Sequence, residues 1–176
     1  MLVLPIAVFL FVSARVNQFS WPKEISALTE EIEEHQIPYS KLPPHACERE
    51  LENPNTGTTG ALYIDLNGDG VKELIVDDGL GGSGGPDYRI YQRSHGTWKV
   101  IADFQGGLTL CQKANGYFQL EVASRGGGGA TGKTLYRFFD GRYRAIHGSA
   151  YQDGSLTREL DAKDLTDLNN WIEQKN

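Results

Sequence analysis

A chain of 176 residues with 39% apolar content can bury one core of ordinary size. Its net charge of −6, with no Lys/Arg cluster, argues against nucleic acid and against an anionic membrane surface as partners. The acidic balance suits a cation or a basic partner surface, and the 21 glycines, gathered largely in two short runs, read as loop chemistry rather than disorder.

Leu2 to Val12 is an almost unbroken apolar run, followed by Ser13-Ala14-Arg15. It falls short of the roughly 20 residues a membrane-spanning helix needs. It has the length of a signal-peptide h-region, with small residues where a signal peptidase would cut. No Lys or Arg precedes it, so a buried strand or an uncleaved anchor is the alternative. Residues 1–14 are read as a signal peptide, which places the chain in the periplasm or outside the cell, with no membrane span once the signal is removed. No Cys lies just after the run, so a lipid anchor is not expected.

Residues 15–60 read as a helix followed by a Pro-rich connector. Over Pro22 to Gln36, Ile25, Leu28 and Ile32 fall on one helical face. Glu30, Glu31, Glu33 and Glu34 fill the rest, as a solvated surface or, more sharply, as a docking face for a basic partner. Pro38, Pro43 and Pro44 end the helix. Cys47 lies in the connector, and its even count with Cys111 in an exported chain is compatible with one disulfide; two free buried thiols are the alternative.

Residues 61–150 read as a two-repeat β domain. Ala61 to Ile64, Glu73 to Val76, Asp87 to Arg93, Thr97 to Asp103, Tyr117 to Ala123, Leu135 to Phe139 and Arg142 to Ile146 are predicted strands. His95-Gly96 and Asp140-Gly141 are predicted hairpin turns. In the first copy, Glu73-Leu74-Ile75-Val76 leads through a Gly-rich loop (Gly79 to Gly85) to Tyr88-Arg89-Ile90-Tyr91 and Trp98-Lys99-Val100-Ile101. In the second, Gln119-Leu120-Glu121-Val122 leads through Gly126 to Gly129 to Leu135-Tyr136-Arg137-Phe138 and Tyr143-Arg144-Ala145-Ile146. The offset is 46 residues from Leu74 to Leu120 and 45 from Trp98 to Tyr143, a period that suits a four-stranded propeller blade. Two blades cannot close a ring. The expected fold is therefore mainly β, with two propeller-blade-like antiparallel sheets and an N-terminal and a C-terminal helix covering their edges. Residues 151–176 are assigned to that second helix, with Leu165, Leu168, Trp171 and Ile172 as its apolar face.

Asp65-Leu66-Asn67-Gly68-Asp69-Gly70-Val71-Lys72-Glu73 carries the most chemical information. Oxygen-bearing side chains stand at loop positions one, three and five, Gly at six and a carboxylate at nine. Calcium takes six to eight oxygens at about 2.3–2.6 Å, and alternate residues of a tight bend can aim theirs at one centre. The expected ligands are Asp65, Asn67, Asp69 and Glu73, with the Val71 carbonyl and water. An EF-hand is excluded, because that motif needs a Glu at position twelve, where this chain has Val76. A plain Asn-Gly/Asp-Gly turn without metal is the bland alternative.

The run Asp-Leu-Asn-Gly-Asp-Gly-Val-Lys-Glu-Leu-Ile-Val resembles the calcium loop of integrin-type FG-GAP and VCBS repeats and of small bacterial exported proteins built on them. The resemblance implies a loop between two blade strands that binds calcium through its first, third, fifth and ninth residues and the seventh carbonyl. Those positions fall on Asp65, Asn67, Asp69, Glu73 and Val71. Asn67 and Glu73 replace the aspartates commonest there. The matching stretch of the second copy, Gln112 to Tyr117, has no carboxylate, so one calcium is expected.

Gly127 to Thr134 matches a phosphate-loop pattern as text. Such a loop must open a helix, whereas Thr134 runs into a predicted hairpin, so no nucleotide is expected. His35, His45, His95 and His147 share no zinc spacing, and no nucleophile elbow is present. Tyr88, Tyr91, Trp98, Tyr136, Phe138 and Tyr143 recur at strand spacing and read as core rather than as a ligand platform. The function read from the residues is a non-catalytic, calcium-binding exported module for a protein or glycan partner. A periplasmic inhibitor or immunity protein against a secreted effector or cell-wall hydrolase is the alternative, and an enzyme with a site hidden from sequence stands behind both.

Overall fold

The computed structural model describes residues 19–43, 57–79 and 82–174. In chain order the elements are β1 (Glu24–Ala27), α1 (Leu28–Glu34), β2 (Gln36–Pro38), a 3₁₀ turn (Tyr39–Lys41), β3 (Thr58–Ile64), β4 (Glu73–Asp77), β5 (Asp87–Ser94) and β6 (Thr97–Gln105). Then follow β7 (Gly107–Ala114), β8 (Tyr117–Arg125), β9 (Ala130–Phe139), β10 (Arg142–Gln152), β11 (Ser155–Glu159) and α2 (Ala162–Gln174). They build two antiparallel sheets, one ordered β2-β3-β4-β5-β6 and the other β1-β7-β8-β9-β10-β11. Each contains one four-strand meander, β3 to β6 and β7 to β10, which is where the two sequence copies lie.

Local turn chemistry sets most of this order. His95-Gly96, Asn115-Gly116, Asp140-Gly141 and Asp153-Gly154 join consecutive strands, and both residues of each pair have positive φ (49–54° and 80–84°). That is the two-residue turn whose twist matches paired strands. From β3 onward only the connection from β6 to β7 changes sheet, and it does so at Gly106, with φ 136°. A Cβ there would meet the Ala123 carbonyl oxygen at 2.5 Å, so the crossing demands glycine.

β4 is the middle strand of its sheet and is covered on both faces. Ile75 faces the main core with Ile90, Phe104, Leu120 and Tyr143, drawn from both sheets. Leu74 and Val76 face the other way, against Tyr39, Leu42, Ala61 and Tyr91. The period of two along a strand makes this division. Burying each such aliphatic side chain contributes roughly 1.5–3 kcal/mol.

The N-terminal helix is shorter than its periodicity predicts. It starts at Leu28 rather than Pro22, and residues 24–27 form β1, with Ser26 opposite Leu110. Leu28 and Ile32 are buried as expected, but Ile25 is 53% exposed. The open edge of β7 takes the segment as a strand, and pairing outweighs a weak helical preference. The acidic residues of α1 are exposed. The β structure also extends beyond residues 61–150. β1 and β2 come from the segment read as helix and connector, and β11 from the one read as the second helix. That helix begins after Asp161, whose Oδ1 accepts from Lys163 N (2.8 Å) and Asp164 N (2.9 Å), while Asp164 Oδ2 accepts from Asp161 N (3.1 Å). Such reciprocal capping halts fraying at the start. Leu165, Leu168 and Ile172 pack on the core, while Trp171 is 44% exposed.

Residues 1–14, read as a signal peptide, and Cys47 lie outside the described residues. Cys111 is a free, buried thiol. No helix among the described residues is long and apolar enough to cross a membrane.

Candidate metal loop and glycine-lined groove

Residues 65–72 form the bend between β3 and β4, and the pairing of Ile64 with Glu73 closes its base. Its polar side chains fold back onto the loop's own amides. Asp65 Oδ1 accepts from Gly68 N (2.6 Å) and Oδ2 from Gly70 N (3.0 Å). Asn67 Oδ1 accepts from Asp69 N (2.8 Å), and Asp69 Oδ1 from Val71 N (2.7 Å). Asn67 Nδ2 donates to Asp69 Oδ2 at 2.8 Å. Short polar side chains make such turns because they reach the backbone two or three residues on. Gly68 and Gly70, both at φ 85°, let the loop curl.

Burial pushes the Asp65 carboxyl upward, but the N–H groups of Gly68, Gly70, Asn67 and Asp69 outweigh it and lower its pKa. Asp65 is therefore an anion at neutral pH, and each of its oxygens keeps lone-pair capacity beyond the bond it accepts. Val71 exposes 48% of its surface.

Glu73 sits on the inner side of the loop and is 1% exposed. Its Oε2 accepts from Leu66 N (2.8 Å) and its Oε1 from Gln92 Nε2 (3.1 Å). Asp65, Asn67 and Asp69 thus share the bend, while Glu73 is turned to buried protein donors. Among the described residues no three His, Cys, Asp or Glu side chains form a metal-holding group. The donor set is nonetheless all oxygen, as a hard cation requires.

Sequence reasoning missed that this loop joins the two sheets. Leu66 is fully buried in the shared core, and its carbonyl accepts from Phe118 N at 2.8 Å. Tyr117 Oη accepts from Asn67 Nδ2 (3.1 Å) and Gln92 Nε2 (2.8 Å). Lys113 Nζ donates to the Asn67 carbonyl at 2.9 Å. Tyr117 stacks on Phe138, with centroids 3.8 Å apart. Tyr117 and Lys113 flank the Asn115-Gly116 turn, which occupies in the second sheet the position the loop occupies in the first. That equivalence was legible in the repeat alignment.

At the opposite end of the sheets the first Gly-rich connection meets the end of β8, where Arg125 N donates to the Gly84 carbonyl at 3.2 Å. Gly84, Gly85 and Pro86 face Thr131 and Gly132 across a cavity of about 560 Å³, also lined by Thr29, Gly107, Arg125, Lys133 and Tyr151. Lys133, from the phosphate-loop text, lies within β9 and donates to Glu121 Oε1 at 2.7 Å.

The remaining candidates take structural places. Tyr88, Tyr91, Tyr136 and Tyr143 are buried, and Trp98 and Phe138 pack partly buried beside them. Asp78 and Asp103 are buried against Arg89, at 3.0 and 3.4 Å. His35 and His95 are exposed. His147 stacks on Phe19 at 3.6 Å, with Nε2 2.8 Å from Glu159 Oε2. His45 lies outside the described residues. No family model, no curated protein and no solved structure matches the chain.

Proposed function

We propose that this chain is a non-catalytic, calcium-binding module of the FG-GAP/VCBS-like kind, exported to the periplasm or beyond, that offers a surface to a protein or glycan partner. The observation that carries the reading is the strand-closed bend at residues 65–72, which holds Asp65, Asn67 and Asp69 in one tight turn with Glu73 at its base. Asp65, Asn67, Asp69, Glu73 and the Val71 carbonyl would hold the cation. Three carboxylates give the site a net negative charge sufficient for a divalent cation, and calcium would supply a rigid oxygen-bound centre. For Glu73 to join the set, it would share or release the hydrogen bond from Gln92.

The loop's bonds to Tyr117, Phe118 and Lys113 give cation binding a structural consequence, because ordering the bend also orders the junction of the sheets. The two four-strand meanders fit a pair of blade-like units sharing one core. Saturation at 100 times Kd would stabilise the fold by about 2.7 kcal/mol. The test is calorimetric titration with calcium, with magnesium in parallel and melting followed in both. The expected result is one calcium per chain, a raised melting temperature, and a weaker magnesium response. No heat and an unmoved melting temperature would overturn the reading.

A further inference from the structure

We infer that the groove between Gly84 to Pro86 and the paired ends of β8 and β9 is a binding site for a carboxylated saccharide, with Arg125 as the anchor for the carboxylate. The inference rests on the binding-module reading and commits its partner to one chemistry. The groove is remote from the metal loop. β8 starts at Tyr117, against that loop, and ends at Arg125, so the two sites stand roughly 27 Å apart along an extended strand.

Register builds the groove wall. Arg125 pairs with Thr131, Thr131 with Tyr151, and Tyr151 with Leu156. Directly paired residues share a sheet face, so a guanidinium, a hydroxyl and a phenol stand in one row. Lys133, opposite Ala123 in the next row, adds a second cation. No acidic residue lines the cavity, although the whole chain carries −6. Lys133 is held by Glu121, whereas Arg125 has no ion-pair partner among the described residues. Arg125 is therefore the cation left for a ligand, and its planar fork matches a carboxylate in two parallel hydrogen bonds.

The rest of the lining selects a sugar over a simple anion. Gly84, Gly85, Gly107, Gly132 and Ala123 leave a surface nearly free of side chains, on which a ring can lie close to the backbone. Tyr151 offers an aromatic face to ring C–H groups and a hydroxyl to ring hydroxyls, and Thr131 adds another hydroxyl. The volume lies within the range of small-molecule sites. A phosphate-led ligand fits less well, because β9 rather than a helix N-terminus follows the glycines.

The test is titration of the full chain with an oligouronate, against the neutral oligosaccharide of the same linkage, inorganic phosphate, acetate and a peptide with a free C-terminal carboxylate. The oligouronate is expected to bind about tenfold or more tightly than each control, with affinity falling as salt rises. Arg125→Ala is expected to weaken it about tenfold, with partial recovery in Arg125→Lys. Arg125 is exposed, so both variants should fold, and an unchanged melting temperature checks this. Equal binding of the neutral sugar, an Arg125→Ala variant of unaltered affinity, or phosphate, acetate or peptide matching the oligouronate would overturn the inference. Calcium is titrated separately. A calcium response without uronate binding sinks the groove alone, and uronate binding without a calcium response sinks the metal loop alone.

Discussion

Replacing Glu73 separates the structural work of this carboxylate from its proposed part in metal binding. In the folded chain it is buried and accepts from Leu66 N and Gln92 Nε2. Glu73→Ala leaves both donors without that acceptor in the interior. A hydrogen bond to a charged group contributes about 1.5–3 kcal/mol, so the expected loss is about 4 kcal/mol. For a chain of this length about 1 kcal/mol moves the melting temperature by roughly 2–4 °C, which gives a fall of about 12 °C. Glu73→Gln keeps an oxygen for Leu66 N but sets its amide nitrogen against that of Gln92, and should cost about 1–2 kcal/mol. The assay is thermal and urea unfolding in EGTA, where no calcium contributes, repeated with saturating calcium. The loss in EGTA measures the buried acceptor, and any further gap in calcium measures its role as a ligand. A fall of less than about 3 °C for Glu73→Ala in EGTA would refute the assignment of Glu73 as a buried structural acceptor.

Other consequences can be checked with the same methods. Tyr117→Phe keeps the stack on Phe138 but removes the acceptor for Asn67 and Gln92, and urea unfolding should show a loss of about 1–2 kcal/mol. Gly106→Ala should cost about 3 kcal/mol or more, read as a lowered urea midpoint, because the new Cβ meets a backbone oxygen at 2.5 Å. The Asp65 pKa is lower in the folded chain, so its contribution is present above the ordinary carboxylate range and is lost as pH falls below about 4. Asp65→Asn should therefore flatten the acid limb of the stability profile. The Cys111 thiol is pushed up to about 11 by burial, with Glu121 and Glu24 adding to the effect. At pH 8 it should resist iodoacetamide in the native chain and react once denatured without reductant, as mass spectrometry would report; a site that reacts only after reduction would mean a disulfide.

Much of the β structure was written locally. Asp140-Gly141 and His95-Gly96 announce their turns because these residue pairs accept positive φ, and alternation places Tyr88, Ile90 and Leu120 inward. Asn115-Gly116, Asp153-Gly154 and the alternating Leu108-Thr109-Leu110-Cys111 were equally legible signals for β7 and β11. The start of the N-terminal helix at Leu28 was not legible, since nothing within residues 22–36 says that the edge of β7 needs a neighbour. In the bend at residues 65–72, the positions of Asp65, Asn67 and Asp69 could be read from spacing. The inward turn of Glu73 could not, because Gln92 and Tyr117, which share its network, come from other strands.

The sequence by itself determined the two-copy β pattern, the turns and the oxygen-rich bend, because those depend on residues within a few positions of one another. Only the tertiary structure decided that the bend ties one sheet to the other and that Gly84 to Pro86 share one cavity with Arg125 at the end of β8. Both follow from the crossing at Gly106, where the chain leaves one sheet for the next and brings residues about 45 positions apart into one core.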